Sequence, residues 1–246
     1  MLHPPKCATA LVIPVLNENG RILEQLQRIQ VYSANVDVIV ADGGSTDGSL
    51  DIDNLERLGV TALLTKQDIG KLSAQLRMAF SFCLEQGYES VITMDGNNKD
   101  GVEGIERLNH ALNNGFDFVQ GSRFVKGGEA VRTPVERLLA IRLIHAPLIS
   151  LGAHHWYTDT TNGFRGHSRR LLSDPDMAIF REIFETYELL AYIPVEAARR
   201  GFKVSEVPVR REYPASGSVP TKITGIRTHF GLIRILFDAT RRTNSH

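Results

Sequence analysis

Carboxylates, amides and glycines follow four short apolar runs near the beginning of the chain. These positions are 14–18 (PVLNE), 42–48 (DGGSTDG), 68–71 (DIGK) and 95–97 (DGN). Glycine lets a phosphate approach the backbone, and carboxylates bind ribose hydroxyls or divalent cations. If the apolar runs are neighbouring parallel strands, their carboxyl ends meet at one edge of the sheet, where such sheets bind ligands. The spacing therefore predicts a nucleotide-binding site.

The same residue types also suit turns and helix caps, so each position has a purely structural alternative. Asp47 fits that alternative best, as the cap of a helix that begins near Ser49. Asp42 and Asp95 fit it worst, because each ends a buried run, where a carboxylate without a partner would be costly. We therefore expect Asp42 and Asp95 to have a binding partner.

The apolar runs are short and rich in β-branched residues, and they alternate with helical patterns. We predict strands over residues 8–15, 36–41, 60–65, 90–94, 116–119 and 204–209. We predict helices over residues 21–29, 49–58, 71–86, 104–113, 134–151 and 187–200, and a last helix over 223–242. Strand and helix in alternation predict an α/β fold with a mostly parallel, doubly wound sheet and helices on both faces.

The composition is that of one large globular domain with a short appendage. The chain has 246 residues, and its 28 basic and 28 acidic side chains cancel, so no overall field favours nucleic acid as a partner. We place the domain at residues 1–215 and the appendage at 216–246. Cys7 and Cys83 match no metal or redox spacing. We expect both to be buried thiols, which suits a cytoplasmic location.

The appendage carries an amphipathic, basic helical pattern. Its apolar stripe and its basic residues are Ile226, Phe230, Ile233 and Phe237, and Lys222, Arg227, Arg234, Arg241 and Arg242. Such a helix is typical of a peripheral contact with an anionic membrane surface, here the inner face. No run reaches the roughly 18 apolar residues of a membrane-spanning helix. The alternative is a helix that packs on the core or on a second copy of the chain.

Six motifs, taken in order, resemble segments of the family 2 glycosyltransferases of GT-A fold, above all the dolichyl-phosphate mannose synthases and bacterial polyprenyl-phosphate sugar transferases. They are VIPVLNENG, ADGGSTDGS, GKLSAQLR, MDGNNKD, QGSRFVKGG and DTTNGFRGHSRRLL. The resemblance implies a Rossmann-like sheet flanked by helices. It also implies an inverting transfer of a sugar from a nucleotide-sugar donor to a polyprenyl- or dolichyl-phosphate lipid, in the synthesis of cell-envelope glycans.

The resemblance also implies roles for individual residues. Donor binding falls to Pro14, Asn17, Glu18, Asp42, Lys71 and Arg77. The catalytic positions are Asp95, Asn97, Lys99 and Arg123. The acceptor phosphate falls to Arg137, Arg142, Arg211 and Lys222, and the acceptor region includes Asp159, Asn162 and Gly163.

One motif departs from the family at the position that usually binds a divalent metal. The family has Asp-x-Asp followed two places later by Gln, whereas this chain has Asp95, Asn97 and Lys99. One hypothesis is that the Lys99 ammonium partly replaces the metal while Asp95 orients Lys99 or a sugar hydroxyl. The alternative keeps a weakly held Mg²⁺ or Mn²⁺ on Asp95 and on Asp100, with the diphosphate supplying other ligands. Lys99 as an ordinary solvated loop residue is a third interpretation.

Two other functions stay open. The chain could transfer a sugar to a soluble or protein acceptor, with the last helix as a dimer contact. It could also be a non-catalytic, nucleotide-binding subunit of a membrane partner protein, since its metal motif is altered.

Overall fold

The structure is a computed structural model that describes residues 1–32 and 34–214. Its strands are β1 Thr9–Val15, β2 Asp37–Asp42, β3 Val60–Thr65, β4 Ser90–Thr93, β5 Phe118–Ser122, β6 Glu129–Val131, β7 Arg165–Ser168, β8 Val204–Pro208 and β9 Arg210–Glu212. Its α-helices are α1 Gly20–Ile29, α2 Ile52–Arg57, α3 Leu72–Glu85, α4 Gly104–Asn113, α5 Val135–Ala140, α6 Ala146–Ala153, α7 Arg169–Leu172 and α8 Glu188–Arg199. A π-helical turn, Ile141–His145, joins α5 to α6.

The main sheet has the strand order β3-β2-β1-β4-β7-β5-β8, and β6 and β9 form a separate parallel pair. The strands from β3 through β4 are parallel, with Val15 opposite Asp42 and Asp42 opposite Thr65. Their carboxyl ends therefore lie at one edge. The β5 strand and β8 also run parallel to each other. The predicted α/β fold with a mostly parallel sheet is confirmed.

Apolar side chains on the two faces of the sheet form two cores. One packs the sheet against α3 and α8, through residues such as Phe80 and Tyr192. The other packs it against α1 and α4, through residues such as Leu26 and Leu108. Helices thus cover both faces, as the alternation of patterns predicts. We call the edge at the carboxyl ends of β1 to β4 the ligand edge, because parallel sheets of this kind bind ligands there.

The strand β7 escapes prediction from the sequence because its residues, Arg-Gly-His-Ser, are polar. It is nevertheless inserted between β4 and β5, antiparallel to both. Arg165 is buried there and donates to the carbonyl oxygens of Asn162, Leu190 and Thr160 at 3.0, 2.6 and 2.9 Å. These three bonds compensate for the burial of its charge.

The predicted cap at Asp47 is wrong. The helix α2 begins at Ile52, and its N-cap is Asp51, whose carboxylate accepts from the Asn54 amide. Asp47 instead accepts from the Asn19 amide at 2.7 Å and from Ser49. It therefore joins two loops at the ligand edge and caps no helix.

Three expectations about location meet different outcomes. Cys83 is buried, whereas Cys7 is only half-buried, so the expectation of two buried thiols holds for one of them. Within residues 1–32 and 34–214, no helix is long and apolar enough to cross a membrane. Lys222, the helix predicted over 223–242 and the boundary at 215 lie outside the described residues.

The buried His167 predicts a loss of stability in acid. Its ring lies 5.2 Å from that of Phe80 and 5.5 Å from that of Phe118. Burial, with a smaller contribution from the Arg165 charge, lowers the pKa of His167 from 6.5 to about 3. Between these values the unfolded chain takes up a proton that the folded chain does not. The free energy of unfolding should therefore fall as the pH drops below 6.5, by up to about 1.4 kcal/mol per pH unit.

Urea unfolding at several pH values measures this slope. His167→Gln should flatten the acid limb, whereas His110→Gln, at an exposed position on α4, should leave it unchanged. An equally steep limb in His167→Gln would show that another group is responsible.

Candidate active site

Two loops at the ligand edge are bonded to each other through the predicted donor residues. The backbone N–H of Asn17 donates to Ser45 Oγ at 3.0 Å, and the side-chain Oδ1 of Asn17 accepts from the backbone N–H of Thr46 at 2.8 Å. Asn17 has φ 52, a left-handed conformation that asparagine tolerates better than most residues. Asp42 is buried, and its carboxylate accepts from the Ser45 amide at 2.8 Å. The partner expected for Asp42 is therefore a backbone amide of its own loop.

Two buried glutamines that sequence analysis missed hold the strand ends in place. Gln75 Nε2 donates to the carbonyl oxygens of Val15 and Ala41, both at 3.0 Å. Gln25 Nε2 donates to the Asp95 carbonyl at 3.0 Å, while its Oε1 accepts from the Asn98 amide at 2.7 Å. These bonds fix the turns after β1, β2 and β4 relative to one another. Gln75 falls within the motif GKLSAQLR, but no local pattern indicates these contacts, because each joins segments that are distant in the sequence.

Lys71 and Arg77, the predicted diphosphate ligands, occupy different positions. Lys71 is exposed at the start of α3, with its Nζ 5.9 Å from the centre of the Tyr187 ring. Arg77 lies on α3 itself and donates to the Phe184 carbonyl at 3.3 Å. Lys71 is therefore available to an anion at the rim, whereas Arg77 supports the neighbouring loop.

Asp95, the predicted metal ligand, is bound by an arginine. Arg211 on β9 donates from Nη2 to Asp95 Oδ2 at 2.9 Å and from Nη1 to Asp100 Oδ2 at 2.5 Å. The same Nη1 lies 3.4 Å from Asn162 Oδ1. Arg211 and Asp100 are both buried. The guanidinium predicted to bind an acceptor phosphate thus bridges two carboxylates.

The charges of this group perturb one another. Burial raises the pKa of Asp100, and the Arg211 charge only partly offsets that effect. Burial by itself would lower the pKa of Arg211, but the charges of Asp100 and Asp95 raise it overall. Asp100 Oδ1 is buried and has no hydrogen-bond partner within residues 1–32 and 34–214. The two hydrogen bonds from Arg211 are therefore the main stabilising contacts of Asp95 and Asp100.

Lys99 is buried beside this group, so the interpretation as a solvated loop residue is wrong. Its Nζ lies 5.0 Å from the centre of the Tyr213 ring, and the Arg137 guanidinium lies 5.8 Å from the same ring. Burial lowers the pKa of Lys99 to about 8, and the charges of Arg211 and Arg137 contribute further. A pKa near 8 still leaves the amine mostly charged at neutral pH. Lys99, Arg137 and Arg211 thus form a cationic group around one side of the ligand edge.

Arg123 and Asp159, predicted to be catalytic and acceptor-binding respectively, are paired with each other. Arg123 donates from Nε to Asp159 Oδ2 at 2.7 Å and from Nη2 to Oδ1 at 2.9 Å, and both side chains are buried. Burial raises the pKa of Asp159, but the hydrogen bonds and charge of Arg123 outweigh it and leave that pKa below its usual value. The exposed Arg142 lies 5.4 Å from the ring of Phe124, which also lies 5.2 Å from the Arg123 guanidinium.

The residues present do not fit a resident divalent ion. The carboxylates of Asp95 and Asp100, which would be the metal ligands, are both bound by Arg211. Asn97 has an amide where the family has a second carboxylate, and its Oδ1 accepts a hydrogen bond from the backbone N–H of Lys99 at 3.3 Å. In the described part of the chain, no group of three or more His, Cys, Asp or Glu side chains could hold a metal.

Comparison with known proteins assigns the chain to a family. The model of glycosyl transferase family 2 matches residues 10–187, and the chain belongs to that family. It is therefore a glycosyltransferase, and the parallel sheet with its ligand edge is the GT-A fold.

Two curated relatives match most of the chain. The polyprenol monophosphomannose synthase of Mycolicibacterium smegmatis is 28% identical over 83% of this chain and 77% of its own length. The undecaprenyl-phosphate mannosyltransferase of Micrococcus luteus is 29% identical over 80% of this chain and 81% of its own length.

Solved structures share the fold. The glucosyl-3-phosphoglycerate synthase of Mycobacterium tuberculosis, crystallised with Mn²⁺, UDP and glucosyl-3-phosphoglycerate, superposes with a TM-score of 0.63. The match covers 96% of this chain and 79% of that one at 16% identity. Related crystals of that synthase contain Mg²⁺ and UDP.

Gly163→Ala is expected to slow sugar transfer by at least about tenfold. A Cβ at Gly163 would lie 2.5 Å from Asp95 Oδ1, so the carboxylate that Arg211 binds must shift, and small displacements at an active site are costly. Steady-state transfer rates test this. Gly152→Ala is the control, because its Cβ would meet Val195 at an ordinary 3.8 Å. Equal rates in the two variants would mean that the position of Asp95 does not matter.

Proposed function

We propose that the chain transfers a sugar from a nucleotide-sugar donor to a polyprenyl-phosphate type of lipid, with inversion at the anomeric carbon. The observation that carries this proposal is the pair of cations Lys99 and Arg137, 5.0 and 5.8 Å from the Tyr213 ring, next to Arg211 with its two carboxylates at the sheet edge of the nucleotide loops. A reaction between a nucleoside diphosphate sugar and a lipid phosphate brings two phosphate-bearing substrates together. The names of the two curated relatives support the same pair of substrates.

The chemistry needs little from a general base. A lipid phosphate is already an anion at neutral pH, so one of its oxygens attacks the anomeric carbon directly. The bond from that carbon to the diphosphate breaks, and its electron pair stays on the diphosphate oxygen. The protein must align the two substrates and stabilise the charge that develops on the leaving group.

We assign the donor to the loops after β1 and β2, and the leaving diphosphate to the side of Lys99. Asn17 and Asp42 are held at that edge by the loop contacts described above, and Glu18, next to Asn17, accepts a hydrogen bond from Arg21 at 2.8 Å. The acceptor phosphate belongs to the side of Arg137 and Arg142, on the helix α5 and the turn that follows it. Guanidinium groups suit this role because their donors match phosphate geometry.

An apolar surface on the segment from α5 to α6 supports a membrane location. We call it the α5–α6 stripe, and its exposed members are Val135, Leu139, Leu143, Ile144 and Leu151, together with Trp156 just after α6. Leu143 and Leu151 are 69% and 75% exposed. Arg137 and Arg142 flank the stripe and complement anionic lipid headgroups. A lipid acceptor could thus enter the site directly from the membrane, with residues 216–246 as a further peripheral contact on its inner face.

A transfer assay tests the function. Purified protein is incubated with UDP-hexoses and GDP-hexoses in turn, with undecaprenyl phosphate in micelles as the acceptor. We expect label from one donor to enter the organic phase, and none with undecaprenol, which lacks the phosphate. Transfer only to soluble acceptors would favour the first alternative function. Neither transfer nor donor hydrolysis with any donor would favour a non-catalytic subunit.

Leu143→Glu is expected to weaken binding to anionic vesicles at least about tenfold. The change places a charge where an exposed leucine would enter the membrane interface, and burying such a side chain is worth about 1.5–3 kcal/mol. Co-sedimentation with vesicles of phosphatidylcholine and phosphatidylglycerol measures the affinity. Val31→Glu is the control, because Val31 is 77% exposed but lies outside the stripe. Equal losses in both variants would remove the α5–α6 stripe from the membrane contact.

A further inference from the structure

Three oxygen atoms, two from the loop after β4 and one from the loop before β7, converge on one cation beside the nucleotide loops. They are Asp95 Oδ2, Asp100 Oδ2 and Asn162 Oδ1, at 2.9, 2.5 and 3.4 Å from the Arg211 guanidinium. Carboxylate and amide oxygens in such a cluster are the ligands that Mg²⁺ and Mn²⁺ prefer. In this chain an arginine from β9 already neutralises them.

The backbone fixes Arg211 in this position. Arg211 pairs with Ala130 of β6 on one side and forms an antiparallel bridge with Asp100 on the other. The flanking amides of Glu212 and Gly101 donate to Lys99 and Arg210 carbonyls, both at 2.8 Å. The side chain is itself buried. The guanidinium is thus part of the folded framework, whereas a metal ion would have to displace it against two charge-assisted hydrogen bonds.

We propose that Arg211 permanently occupies the divalent-cation position of this glycosyltransferase, so that the chain binds its donor diphosphate without a metal. This inference rests on the proposed function for the identity of the donor. Arg211 keeps Asp95 and Asp100 from repelling the diphosphate, and Lys99 supplies the positive charge on the side where the diphosphate leaves. Crystals of the glucosyl-3-phosphoglycerate synthase of similar fold contain Mn²⁺ or Mg²⁺ together with UDP.

The first test is binding of Mn²⁺ alone, which needs neither donor nor acceptor. Electron paramagnetic resonance should show no saturable Mn²⁺ binding to the wild type, and its melting temperature should not change with millimolar Mn²⁺. Arg211→Gln should bind Mn²⁺. The variant has no guanidinium between Asp95 and Asp100, and the amide oxygens of Asn162 and of the new glutamine complete the set of ligands. Mn²⁺ should raise its melting temperature by roughly 3 °C or more.

Arg210→Gln is the matched control. Arg210 is the neighbouring residue on the same strand, and it pairs with Glu212 at the surface. Its loss should create no response to Mn²⁺. A stabilisation of Arg210→Gln equal to that of Arg211→Gln would overturn the proposal, because the response would not depend on the bridged carboxylates.

The second test uses the wild type, so it holds even where Arg211→Gln does not fold. Calorimetry with UDP and GDP should give the same affinity in EDTA and in Mn²⁺, within about threefold. Nucleotide binding that requires Mn²⁺, or stoichiometric Mn²⁺ binding to the wild type, would overturn the proposal. Since neither measurement involves an acceptor, a wrong acceptor class would leave both outcomes unchanged.

Discussion

Lys99→Ala is expected to lower kcat by about 10²–10³-fold, in an enzyme that EDTA leaves active. That loss is typical when one fixed donor or charge at the developing anion is removed. Lys99 is suited to the role because it is buried, lies 5.0 Å from the Tyr213 ring centre and sits beside Arg137 and Arg211. Initial rates after exhaustive EDTA treatment, in wild type and variant, measure the effect. The melting temperature should change much less than the rate.

Lys203→Ala is the control for this prediction. Lys203 is exposed and directly precedes β8, at the end of the strand remote from the ligand edge. Its loss should leave kcat unchanged. An enzyme that EDTA silences and Mg²⁺ or Mn²⁺ restores, with Lys99→Ala near wild-type activity, would refute the role of Lys99.

Asp159→Asn should lower the free energy of unfolding by about 3–5 kcal/mol, the usual cost of leaving one member of a buried ion pair uncompensated. Arg123 donates two side-chain hydrogen bonds to Asp159 and is as deeply buried as its partner. An asparagine can accept at only one of those positions. Urea unfolding at neutral pH gives the difference directly.

Two further variants separate the pair from general effects of the substitution. Asp176→Asn changes a carboxylate that is 82% exposed and 3.9 Å from Arg200, so its cost should stay within about 0.5 kcal/mol. Adding Arg123→Gln to Asp159→Asn should recover part of the loss, because neither charge of the pair then remains. A double variant less stable than Asp159→Asn alone would show that Arg123 has other important partners.

The sheet could be predicted from the sequence because its first strands are apolar, short and separated by helices of regular period. The positions of Asp42 and Asp95 followed, since parallel strands bring their carboxyl ends together. The strand β7 could not be predicted, because the burial of Arg165 depends on carbonyl oxygens that include that of Leu190 on α8, and the burial of His167 depends on the rings of Phe80 and Phe118. Local pattern carries no information about such compensation.

The pairing inside the site was equally hidden. Arg123 and Asp159 fall in separate motifs, and Arg211 follows Asp95 by more than a hundred residues. Each was recognised as a charged residue that belongs near a phosphate. Which cation meets which carboxylate depends on the packing of β9 against the loop after β4. The sequence therefore predicted which residues belong to the candidate site better than it predicted the ion pairs between them.

The insertion of β7 between β4 and β5 also has a consequence for synthesis on the ribosome. The strands β1 to β4 can assemble as soon as they emerge, but the partner that covers the other side of β4 comes only with Arg165–Ser168. Until then β4 is an open edge whose free amides and carbonyls can pair with another chain. A polar sequence suits a strand that is synthesised after its neighbours, because a nascent segment of arginine, glycine, histidine and serine stays hydrated until it pairs with β4 and β5.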